Sequence, residues 1–110
     1  MRFSPKDPLE IVTLTFDFTK DLEIRNASGT VTGMKTITPG SASVAVAVVS
    51  GIDGDPNGLK NGAAAISGNE VLQSAKLGIH ENDYEFLVGI DANTGEHFVL
   101  RWILPVRART

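Results

Sequence analysis

The sequence contains no cysteine. Disulfides, thiolate nucleophiles and zinc–thiolate sites are therefore excluded. A secreted domain this small often carries a disulfide, so the absence points to synthesis and retention in a reducing cytoplasm. Aromatic residues are few, with one Trp and one Tyr among 110 residues. Trp102 alternates with apolar positions of the last strand, which leaves little to build a sugar-stacking face. No apolar run approaches the ~20 residues that cross a membrane. The opening MRFSPKDPLE has two prolines and no apolar segment, unlike a secretory leader.

Charge of one sign is also missing. The net charge is −3, with acids and bases spread through both halves. No basic block suggests nucleic acid, and no acidic tail suggests a basic partner. Arg101, Arg107 and Arg109 gather near the end and are read as a solvated, charged tail.

Catalytic signatures are absent as well. The two histidines, His80 and His97, have no sequence partner, whereas a general base needs a nucleophile or second titrating group within reach. GxSxG, P-loop and GxGxxG patterns do not occur. The acids Glu81, Asp83 and Glu85 are too close along the chain to show the opposed carboxylates of glycoside chemistry. Asp53, Asp55, Asn57 and Gly58 match the first six positions of a calcium loop. Its twelfth position is Ala64 rather than Glu, Pro56 interrupts it, and no helical pattern flanks it. The same residue types fill any exposed turn. We therefore expect no metal and no cofactor, and Asp53, Asp55 and Asn57 are the only cation candidates.

What the chain does have is glycine, 11 of them, spaced between short runs of Val, Ile, Thr and Phe. This is the rhythm of strands and turns. Residues 1–8 form an extended arm, because Pro5 and Pro8 bias the residues before them away from helix. A single domain follows, residues 9–110. Its first strand, Glu10–Phe18, puts Val12, Leu14, Phe16 and Phe18 on one face. A polar turn at Lys20-Asp21 leads to a short strand, Leu22–Asn26, with Leu22 and Ile24 on the same face. Val31–Thr38 is the next strand, closed by the Pro39-Gly40 turn.

Ser41–Ser50 alternates valines with alanines, so its second face predicts close packing or an interface. Gly51–Gly62 is a long loop. Ala63–Ser67 and Asn69–Lys76 are two more strands, with a helix at Asn69–Lys76 as the alternative. The clearest pattern is a hairpin. Tyr84, Phe86, Val88 and Ile90 answer Phe98, Leu100, Trp102, Leu104 and Val106 around the Asp91–Gly95 turn. Pro105 cannot donate to a ladder and so marks an edge or a strand end.

About seven antiparallel strands in one small domain predict an all-β fold, an immunoglobulin-like sandwich. Tyr84 stands near the start of the penultimate strand, two residues before Phe86. It is either a tyrosine corner, its hydroxyl bonded back to nearby backbone, or simply a strand aromatic.

In outline the chain resembles a family of small bacteriophage virion proteins, the fibre–tail adaptor or minor structural proteins. The residues that carry the resemblance are Lys6-Asp7-Pro8 leading into a strand, the Thr19–Leu22 turn, the Pro39-Gly40 turn and the closing DYEFLVGIDANTGEHFVLRWILPVRA. The chain differs in having Phe16 and Phe18 where the family's first strand has tryptophans, and in the Gly51–Gly62 insertion. The resemblance implies a non-catalytic virion structural protein, a tail or neck connector made in the host cytoplasm and assembled as a homo-oligomer with other virion proteins. Alternatives are a capsid decoration protein and a bacterial surface- or carbohydrate-binding module. The expected contact residues are Phe3, Pro5 and Pro8 on the arm, docking by strand addition, and His97, Val99, Arg101 and Ile103 on the outer face of the last strand. Deleting residues 1–8 is expected to weaken assembly and leave the fold intact.

Overall fold

The structure is a computed structural model that describes residues 2–108. It is all-β, with eight strands in three antiparallel sheets. The strands are β1 (Val12–Asp17), β2 (Glu23–Arg25), β3 (Val31–Met34), β4 (Ser43–Ser50), β5 (Ala65–Ser67), β6 (Glu70–Ala75), β7 (Asn82–Asp91) and β8 (His97–Val106). One sheet has the order β1-β6-β5, the second β4-β7-β8, and β2 and β3 pair only with each other.

The predicted hairpin is the spine. Ten residue pairs join β7 to β8, from Asn82 opposite Val106 to Asp91 opposite His97. The period of two decides which side chains turn inward. Tyr84, Phe86, Val88 and Ile90 are buried in β7, and Leu104 and Val106 in β8. They meet Leu14 and Phe16 of β1 and Val71 and Ala75 of β6, so two three-stranded sheets close on one core. Phe16 lies at its centre, with ring centroids 5.4 Å from Phe3, 6.2 Å from Phe86 and 6.1 Å from Trp102.

Three local expectations change. Thr19–Leu22 is one helical turn, α1, rather than an open polar turn. Leu22 therefore points into the core while Ile24, two residues on, is exposed. The two do not share a face, because the change from helical to extended backbone breaks the alternation. The third strand stops at Met34, since Thr36 turns to exchange hydrogen bonds with Asn93 of the β7–β8 turn. The long loop includes a single 3-10 turn, Pro56–Leu59, that buries Leu59. Asn69–Lys76 is strand in its central part, not helix. The Pro39-Gly40 turn forms as expected, with Gly40 at φ +77°, the left-handed position that a type II turn requires after proline.

Ten residues of antiparallel strand span about 34 Å. The long dimension of the molecule is 51 Å, against 27 and 19 Å across. The connections at the two ends supply the difference. The β2–β3 hairpin extends one end. The arm-to-β1 turn, the loop after β4 and the β6–β7 corner form the other.

Candidate assembly interface

The arm is extended, but it lies on its own domain. Arg2 bridges Ile103 and Lys6 bridges Val106, both in parallel sense. The Phe3 amide donates to the Ile103 carbonyl at 2.8 Å and the Lys6 amide to the Pro105 carbonyl at 2.9 Å. The Arg107 amide returns to the Lys6 carbonyl at 2.8 Å. Pro105 thus turns its backbone to the arm, so its missing N–H spares the β7–β8 ladder and leaves the arm one donor fewer. Pro5 also lacks a donor, which explains why so few backbone bonds hold the arm.

Side chains complete the attachment. The Phe3 ring packs 4.8 Å from the Trp102 ring. Lys6 is buried, and its ammonium donates to the Leu77 carbonyl at 2.7 Å and the Asp7 carbonyl at 2.8 Å. Burial pushes the Lys6 pKa down, and the nearby charges of Glu10 and Asp7 partly restore it. Of the arm residues expected at an interface, Phe3 is committed to the core, Pro8 is half-buried, and Pro5 is exposed. Deleting residues 1–8 would remove Phe3 and Lys6 from the packed domain, so the expectation of an intact fold is corrected. Even Phe3→Ala is expected to cost about 1–2 kcal/mol, as a half-buried phenylalanine. The loss should appear in the urea midpoint, together with a red-shifted Trp102 emission.

The expected β8 face is present but only partly open. His97, Val99 and Arg101 are exposed, and Ile103 is half-buried. Register places Ser43 and Gly89 beside Val99, Ala45 and Leu87 beside Arg101, and Ala47 and Glu85 beside Ile103. Ser43, Ala45 and Ala47 are exposed, so no element of the described chain covers that face of β4. Arg107 binds Asp83 at 2.9 Å and the Asn82 carbonyl at 3.0 Å. Arg109 lies outside the described residues.

His97 has a partner that the sequence hid. Its Nδ1 lies 2.7 Å from Asp91 Oδ1, and its ring lies over Gly89. Ser43 Oγ approaches the same glycine from the other side. Pairing across the hairpin brings His97 opposite Asp91, six residues away. The grouping has the residue types of a triad, yet no hydrogen bond joins Ser43 to His97 among the described residues. Both Asp91 and His97 are more than half exposed, and a triad works in a dry site with an oxyanion hole.

The Gly51–Gly62 loop is structural in two ways. Asn57 Oδ1 accepts the Val46 amide at 3.0 Å, and the Lys60 ammonium donates to the Val44 carbonyl at 3.0 Å. These bonds cover the open edge of β4, which would otherwise offer unpaired backbone. Asp53 turns the other way. Its Oδ1 accepts the Asp55 amide at 2.9 Å, and its Oδ2 accepts the Tyr84 hydroxyl at 2.7 Å. The Asp53 and Asn57 oxygens are therefore turned to different protein donors. Among the described residues no group of three or more His, Asp or Glu side chains is placed to hold a metal.

Tyr84 ties this end of the molecule together. It is fully buried, and its oxygen accepts the Ile79 amide at 3.0 Å while its proton goes to Asp53. The sequence left a corner and a plain strand aromatic open, and the bond to Ile79 is the corner's. Asn82, also buried, donates to the Ile52 carbonyl at 2.9 Å and to the Tyr84 oxygen at 3.3 Å. Gly51, at φ +104°, packs against the Asn82 amide so closely that a Cβ would overlap it.

These buried polar groups hold loops whose apolar side chains face outward. Ten large apolar residues are exposed among those described. Leu9, Ile11, Ile52, Leu77 and Ile79 lie at the end just described, and Ile24, Val31 and Met34 on the opposite hairpin. Only Val49 and Val99 are elsewhere. The sequence does not reveal this set, because Leu9, Ile11, Ile52, Leu77 and Ile79 stand in connections, where no periodicity assigns a face, and Ile24, Val31 and Met34 stand on strands too short to show one. The chain matches no protein-family model, no curated protein and no solved structure.

Proposed function

We propose that this is a non-catalytic assembly module, a virion structural protein of the tail or neck whose immunoglobulin-like domain is used in several copies. The observation that carries it is the placement of eight of the ten exposed large apolar residues at the two ends of an elongated domain. Apolar side chains gathered at the ends of a small domain mark contact sites. The virion setting rests on the resemblance of the arm, the turns and the closing hairpin.

The connectivity supports the finer fold. An immunoglobulin-like sandwich sets its second, fifth and fourth strands against its third, sixth and seventh. The orders β1-β6-β5 and β4-β7-β8 follow that scheme, with β2–β3 as an insertion, while the arm lies along β8 rather than beside β1. Tyr84 supplies the corner, and the Phe16–Phe86 contact stands where antibody domains place their disulfide. A sugar-binding role is less well supported, because Trp102 already packs against Phe3 and Phe16.

Mass spectrometry of purified particles, made by the phage whose genome encodes the chain, tests this function. The chain is expected at a fixed copy number above one per particle. Its absence from particles would rule the virion role out.

A further inference from the structure

We propose that two copies of this chain pair about a two-fold axis through the outer faces of their β4-β7-β8 sheets, with Arg101 of each copy meeting Glu85 of the other. The proposal deepens the assembly reading above and rests on it, naming the partner as a second copy and placing this contact on a sheet face.

The period of two gives this sheet a second surface, opposite the core. A sheet face left to water usually carries polar side chains at alternate positions. This one carries Ala45 and Ala47 on β4, Leu87 on β7, and Val99 and Ile103 on β8. Ala45, Ala47 and Val99 are exposed. Gly89 lies in the same surface with no side chain at all. A second backbone can therefore approach this sheet closely.

The charges on the face balance, Arg2, Arg101 and Arg107 against Asp83, Glu85 and Asp91. All but two are matched within the chain. At one end His97 lies 2.7 Å from Asp91. At the other, Arg107 binds one oxygen of Asp83 at 2.9 Å and Arg2 lies 3.8 Å from the second. Between them stand Arg101 and Glu85. Register sets Arg101 opposite Leu87 and Glu85 opposite Ile103, so the two are diagonal neighbours. Among the described residues neither makes an ion pair or a side-chain hydrogen bond. Glu85 is also half-buried between Ala47 and Ile103, a setting in which a carboxylate gains from a cation.

A face with one free base beside one free acid, and no net charge, is complementary to itself. In a two-fold contact each pair occurs twice, so Arg101 on Glu85 brings Glu85 on Arg101 with it. A strongly basic or strongly acidic partner would meet one of the two with its own sign. Area sets the strength. The eight residues of β4 span about 27 Å and three strands about 14 Å, roughly 400 Å² of flat area on each copy. Two such faces lie at the small end of specific interfaces, so the dimer is weak on its own. Several copies held on one particle would reinforce it.

Charge exchange tests this. Arg101→Glu leaves the face with two acids, and Glu85→Arg leaves it with two bases. By sedimentation the native chain is expected to dimerise reversibly below millimolar concentration, and each single variant at least tenfold more weakly. Their equimolar mixture should recover the native affinity, because the two acids of one face meet the two bases of the other. The doubly exchanged chain, Glu85→Arg with Arg101→Glu, should recover it by itself. A native chain that stays monomeric at millimolar concentration overturns the proposal, as does a mixture or a doubly exchanged chain that stays as weak as the single variants. An Arg101–Glu85 pair within one chain would give that last result, since it has no part in assembly. An oligomer that the single variants leave unchanged overturns the proposal in favour of contacts at the ends. Ala45→Lys guards against misfolding, since it alters an exposed position away from both charges. It should melt like the native chain yet dimerise at least tenfold more weakly, and an unchanged dimer overturns the proposal. The virion reading fails separately, if particles lack the chain while the purified dimer responds to charge exchange as expected.

Discussion

Phe16→Ala is expected to lower the free energy of unfolding by about 3–5 kcal/mol, the usual range for a buried phenylalanine. Small domains have only about 5–15 kcal/mol in total, so the variant should be near its unfolding midpoint in mild urea. The large value follows from position. Phe16 is fully buried, and its ring touches the arm at Phe3, the opposite sheet at Phe86, and β8 at Trp102. Removing it opens a cavity where three parts of the chain meet, and none can close it without losing its own ladder. Phe16→Leu keeps most of the volume and should cost about 1 kcal/mol. Ile52→Ala, on a residue 87 % exposed, should stay within about 0.5 kcal/mol of the native chain. A Phe16→Ala chain with an unchanged urea midpoint would mean that the sheets do not share this core.

Tyr84→Phe is expected to cost about 1–3 kcal/mol, through buried groups left without partners. The Ile79 amide and Asp53 Oδ2 would both lose the hydroxyl they share. A pH signature accompanies this. Burial, and then the bond to Asp53, push the Tyr84 pKa above its ordinary value of 10.0. The folded chain therefore holds the phenol proton more tightly than the unfolded chain. The stability linked to that proton is complete below pH 10 and is lost as pH rises through the raised folded value. Lys6 acts oppositely. Its pKa is lowered in the folded state, so the cost of burying its charge is relieved as pH rises toward 10.5. The two are separable because Tyr84 is the only tyrosine. Ultraviolet titration of the phenolate should show a folded midpoint above 10 that returns to the ordinary value in urea. Tyr84→Phe should abolish the alkaline loss while leaving the Lys6 gain. A native phenol that titrates at its ordinary value would show that the corner is open to water.

Much of the fold was legible in the chain because a strand writes its burial with a period of two. Tyr84 to Ile90 and Phe98 to Val106 announced the hairpin, and its inner face is the core of the β4-β7-β8 sheet. The alternation of Leu14 and Phe16 announced the opposing strand in the same way. Thr19–Leu22 was not legible as helix, since one turn is too short to show a 3.6-residue period. Leu22 and Ile24 then fell on different sides against the expected alternation.

The sites were harder to read, since each is made by residues distant in sequence. Asp53 looked like part of a cation loop, and its role depends on Tyr84, thirty-one residues away. Asp91 and His97 become neighbours only because the hairpin register sets them opposite one another. The arm looked free because an extended segment with two prolines looks the same whether or not an edge receives it. Phe3 found its place beside Trp102 and Phe16 only once β8 and β1 had come together.

The sequence by itself therefore determined the all-β class, the central hairpin and the residues of its inner face, all local properties of alternation and turn chemistry. The tertiary structure alone decided where the arm lies, what Asp53 and Lys6 hold, and which exposed apolar residues gather at the two ends. Those depend on backbone carbonyls, amides and loops brought together from distant parts of the chain, and no local pattern of residue types encodes that meeting.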